Sequence, residues 1–91
     1  MAISEQAQQL GVEQRLLVKA DRDIEEGSQR IRKQEDRVRE LRAGGHDTRE
    51  AERLVDVFKQ NLAEWERHRV LIAQRITYLQ RQLAAEQPEA G

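Results

Sequence analysis

From Leu10 onward, apolar residues recur every seventh position: Leu10, Leu17, Ile24, Ile31 and Val38 form one row sustained over four repeats. Taken as heptad position a, this row has a companion d row of Glu13, Ala20, Gly27, Gln34 and Leu41, mostly small or polar. The second half carries a fuller pattern. Ala51, Val55, Phe58, Leu62, Trp65, Arg69, Ile72, Ile76, Leu79 and Leu83 alternate by four and three, with Arg69 the only charge among them. Such spacing keeps one stripe of a helix facing a neighbour, so both segments are expected to be coiled-coil helices.

Between them lies Ala43-Gly44-Gly45-His46-Asp47-Thr48-Arg49-Glu50. Consecutive glycines can supply the left-handed residue that closes a helix. Asp47 with Glu50 three residues on reads as a capping-box-like pair: the aspartate accepts from unpaired amides, and the glutamate suits the positive end of the helix dipole. The expected organisation is a single hairpin over 1–87, with helix 1 about 4–43, a turn at 44–47 and helix 2 about 48–86. Ser4 is the expected N-cap, Gly11 is expected to fray what precedes it, and Pro88 begins a loose tail over 88–91.

A turn this short makes the helices antiparallel neighbours. In the register where partner numbers total 89, Leu10 meets Leu79, Leu17 meets Ile72, Ile24 meets Trp65, Ile31 meets Phe58 and Val38 meets Ala51. The same register sets Gly27 beside Trp65, Gln34 opposite Val55, Glu13 opposite Ile76 and Ala20 opposite Arg69. Glycine costs a helix about 1 kcal/mol relative to alanine, so Gly27 is read as making room for the Trp65 indole. Arg69 is read as packing its stem in the seam while its head reaches Asp21 or Asp23, a polar seam residue that fixes register.

Sorting the outward positions separates two flanks. The e positions (Gln14, Asp21, Ser28, Glu35, Arg42 and Glu52, Lys59, Glu66, Ala73, Gln80) are almost all polar. The g and c positions on the other side include Val12, Leu16, Leu54, Val57, Leu71 and Tyr78, with Val12, Leu16, Leu71 and Tyr78 at the open end. Contiguous exposed apolar surface marks an interface. The expectation is an all-α, two-helix antiparallel coiled-coil hairpin that forms a homodimeric four-helix bundle through this flank, or docks a partner helix there.

Composition narrows the chemistry. Of 91 residues, 37% are hydrophobic and 36% charged, with aromatics at 3% and no cysteine. That supply fits a thin seam better than a thick core. Sixteen basic against seventeen acidic residues give a net charge of −1, which disfavours strong attraction to nucleic acid or anionic membranes. Arg15, Lys19, Arg22 and Arg30, Lys33, Arg37 form two basic clusters on helix 1, the basis of an alternative nucleic-acid-associated or regulatory role. Interleaved Asp21, Asp23, Glu25, Glu26, Glu35 and Asp36 oppose their field, and no aromatics accompany them for base stacking.

The lack of cysteine removes thiol catalysis, disulfides and Cys-based metal sites. No Walker A loop, G-x-S-x-G turn or G-x-G-x-x-G element is present. His46 and His68 lie about six helical turns apart, and Glu64 with His68 lacks a third ligand. His46 reads as a turn residue and His68 as a surface histidine paired with Asp23. No enzyme, cofactor, metal or small-molecule substrate is expected. With no apolar run long enough to span a bilayer and no secretory leader pattern at Met1–Glu5, the expected location is cytoplasmic.

The stretch Gly45-His46-Asp47-Thr48-Arg49-Glu50-Ala51-Glu52-Arg53-Leu54, followed by Phe58 and Leu62, resembles the turn and second-helix start of a group of small, functionally uncharacterised bacterial proteins. The resemblance runs from the second half of helix 1 to the middle of helix 2. It implies a charged helical hairpin of bacterial cytosolic origin, and it carries no activity, ligand or catalytic residue.

Overall fold

The computed structural model describes residues 4–86. They form two long helices, α1 (Glu5–Ala43) and α2 (Arg49–Glu86), packed against each other along their length. The molecule is an all-α helical hairpin. Its extents of 74 × 20 × 18 Å make it a rod, and its radius of gyration of 20.7 Å far exceeds the roughly 12 Å of a compact domain of this length.

Helix α1 starts where the sequence provides an acceptor. The Ser4 hydroxyl accepts from the Ala7 amide at 3.2 Å, and Glu5 places negative charge in the first turn, where the dipole favours it. The helix then passes unbroken through Gly11, contrary to the expected fraying.

At the other end, Gly45 adopts φ +75°, a backbone region that a side chain disfavours. This reverses the chain so that the Gly45 amide donates to the Arg42 carbonyl at 3.1 Å and the His46 amide donates to the Leu41 carbonyl at 2.8 Å. Together these bonds make a Schellman closure. Gly44 keeps a right-handed conformation, so only one of the two glycines supplies the reversal. The His46 ring lies over Gly44, where an added Cβ would meet its Cδ2 at 2.9 Å.

The expected capping box gives way to a different arrangement. Asp47 Oδ1 accepts from the Arg49 amide at 3.0 Å, and the Arg49 guanidinium also donates to both carboxylate oxygens. Among the described residues Glu50 makes no return bond to Asp47, and α2 begins at Arg49. With Oδ1 accepting from the Arg49 amide and the guanidinium held on both oxygens, the carboxylate is kept one residue short of the Glu50 amide that a capping box engages. Hydrogen bonding from that side chain, then from the Arg49 amide, holds the Asp47 carboxyl below its ordinary pKa.

The seam follows the heptad rows. Ile31, Val38, Val55, Ile72, Ile76 and Leu79 are buried, and Ile72, only 1% exposed, centres a cluster with Ala20 and Ile76 against which Leu10 and Leu17 pack. Full burial of one such aliphatic side chain stabilises by about 1.5–3 kcal/mol. The register is as expected. Gly27 faces Leu62 and Trp65, while the cross-helix pairs Arg69–Asp21 and Arg75–Glu13 lie within one residue of the expected alignment.

Candidate interaction surface

The seam residues singled out by the sequence come together around the Trp65 layer. A Cβ on Gly27 would stand 3.1 Å from Trp65 Cζ3 and 3.4 Å from Leu62 Cδ1, so the missing side chain is what lets the indole lie against α1. Arg30 places its guanidinium carbon 5.6 Å from the Trp65 ring centroid, within cation–π range. One helical turn beyond Trp65, Arg69 donates from Nε to Asp21 Oδ1, settling the choice between Asp21 and Asp23. This hydrogen bond, with the accompanying charge attraction, raises the Arg69 pKa.

That choice has a spatial effect. Asp21 is an e residue, so the Arg69 head leaves the seam on the e flank, where Arg42–Glu52 at 2.7 Å and Lys59–Glu35 at 3.7 Å also bridge the helices. On the g flank, the layer of Ala20 and Arg69 is left underfilled. A cavity of about 100 Å³ opens there, walled by Leu16, Ala20, Trp65 and Ile72 and rimmed by Lys19, Asp23 and His68. His68 and Asp23 share this rim but form no ion pair. Asp23 instead takes Lys19 at 2.8 Å, and Glu64 takes Arg67, so the expected Asp23–His68 pair is replaced by bonds one helical turn away.

The apolar flank is real but divided. Val12, Leu16, Leu54, Val57, Leu71 and Tyr78 are all exposed. Leu16 borders the inter-helix cavity, and Leu71 lies about one helical turn from His68 on its rim. Leu54 and Val57 lie on a separate shallow surface near the turn with Glu50 and Arg53. Tyr78 belongs with Val70, Ala73 and Thr77 on the outer face of α2. Val18 and Val70, 60% and 53% exposed, fall on b positions of the e side. The e side is therefore not wholly polar, because sorting by e positions alone passes over b.

Glu13 is the functional-looking residue that periodicity undervalues. It is 3% exposed. Oε1 accepts from Gln9 Nε2 at 3.1 Å and lies 3.5 Å from the Arg75 guanidinium, while the buried Oε2 has no partner among the described residues. Its signal in the sequence is a carboxylate on the d row flanked by long polar g residues that can fold over it.

Among the described residues, no group of three or more histidine, aspartate and glutamate side chains converges on a metal-sized site, and no helix is long and apolar enough to cross a membrane. Within the basic clusters of α1, Lys19 pairs with Asp23 and Arg37 lies 3.7 Å from Glu40. The fold defines the class of the molecule, a charged antiparallel helical hairpin. Searches against protein-family models, curated proteins and solved structures find no match.

Proposed function

We propose that the hairpin is a non-enzymatic self-association module, two copies packing through the g flank as a four-helix bundle with Val12, Leu16 and Leu71 at its centre. The observation that carries this reading is the surface left uncovered. Folded monomers of 10.6 kDa expose about 5,500 Å², whereas this chain exposes 7269 Å². The excess of about 1,800 Å² exceeds the roughly 800 Å² per partner that a standard interface removes.

A second copy suits the flank because its rim carries both signs of charge. Under two-fold symmetry the same patch must complement itself, and Lys19 beside Asp23 and Glu64 gives it both signs. The net charge of −1 weighs against a phosphate-tracking role, which needs an excess of basic groups.

Sedimentation equilibrium at tens of micromolar tests the reading. The wild type should run as a dimer, and Leu16→Glu with Leu71→Glu should run as a helical monomer. A monomeric wild type, or a double variant that still dimerises, would overturn it.

A further inference from the structure

The cavity beside Ala20 has the size of a side chain. A dry apolar cavity of about 150 Å³ is enough to hold a benzene ring, whereas metabolite sites run to about 300–1,000 Å³. At about 100 Å³, walled by Leu16, Ala20, Trp65 and Ile72, this one has room for a single aliphatic group. It exists for two reasons already described: Ala20 is small, and Arg69 turns its head to Asp21 on the opposite flank.

A protruding aliphatic residue stands beside it. Leu71 is half exposed and lies three residues, about one helical turn, beyond His68 on the rim of the cavity. Knob and hole thus occupy the same face at nearly the same height along the rod. A two-fold axis lying in the plane of that face, parallel to the rod and passing between them, carries each Leu71 onto the other copy's cavity and sets the two hairpins parallel.

We propose that the cavity is a socket for Leu71 of a second copy, the residue pair that fixes how two hairpins align. This rests on the self-association reading above and specifies it. Insertion replaces an underfilled layer with aliphatic contact on Ile72 and the Trp65 indole, and the rim charges close around it. Wells of this kind, centred in an interface and sealed from water, carry a disproportionate share of binding energy.

The experiment plugs the socket from inside and, separately, removes the knob. In Ala20→Leu the new side chain grows from the seam into the cavity; in Leu71→Ala an exposed side chain is trimmed without touching the fold. Both should remain helical by circular dichroism and weaken dimerisation by about tenfold or more in sedimentation equilibrium. Trp65, the single tryptophan, reports independently: its emission should shift to the blue as wild-type concentration rises through the dimerisation range, and should stay fixed in Ala20→Leu. A wild-type dimer whose affinity is unchanged in both variants would overturn the socket while leaving self-association standing. A monomeric wild type would overturn both.

Discussion

A single carboxylate shows how a seam can hold a residue that stability does not favour. Glu13 occupies a d position opposite Ile76, where an aliphatic side chain would fill the layer, yet it is buried with one oxygen unpartnered among the described residues. An unsatisfied buried polar group costs about 1–3 kcal/mol. Arg75 is more than half exposed and loses little by being left to water. Glu13→Leu is therefore expected to stabilise the hairpin by about 1–3 kcal/mol, read as a higher midpoint in thermal or urea unfolding. A lower midpoint would show that the Gln9–Glu13–Arg75 contacts outweigh the orphaned oxygen. The heptad rows place Glu13 on the correct face but say nothing of depth, because burial here depends on Gln9 and Arg75 folding over it. The same limit explains His68: its face is legible from spacing, its partner is not, since Lys19 competes for Asp23 from one turn away.

At the level of elements, spacing and turn chemistry made most of the hairpin readable. Strict seven-residue recurrence has no comfortable home except a paired helix, and the short Gly-Gly turn leaves only the antiparallel arrangement. The turn's internal bonding was less legible, because spacing matched Asp47 with Glu50 three residues on, whereas Arg49 two residues on holds its carboxylate. The two glycines also proved unequal. Gly45 alone has the left-handed backbone, so Gly45→Ala should destabilise by about 1–2 kcal/mol. Gly44→Ala crowds only the His46 ring, a side chain free to swing outward, and should cost far less. Parallel denaturation curves of the two variants check this; equal losses would contradict the assignment. Acid weakens the same turn in a defined direction. Asp47 has a lowered pKa in the folded state, so its contribution is present above the ordinary aspartate range and is lost as pH falls through the lowered value.

For the whole molecule, the three cross-helix ion pairs on the e flank matter less for the stability they add, which is small for exposed pairs, than for the alignments they forbid. Sliding α2 by one heptad in one direction sets Glu35 against Glu66 and Arg42 against Lys59; sliding it the other way sets Glu35 against Glu52 and Asp21 against Glu66. Like charges meet in both cases, and their juxtaposition is unfavourable. Within one chain the turn already dictates the alignment, so the arrangement has its main effect between chains, where an exchanged α2 has no turn to guide it. Glu35→Lys reverses this logic: it opposes Lys59 in the proper alignment and attracts Glu52 or Glu66 in the shifted ones. That variant should sediment as a mixture of larger species, and adding Lys59→Glu should restore a single one; a homogeneous Glu35→Lys would refute the idea. For the self-association proposed above, the flank facing water thus serves as a proofreading device, penalising exchanged helices that pair out of alignment.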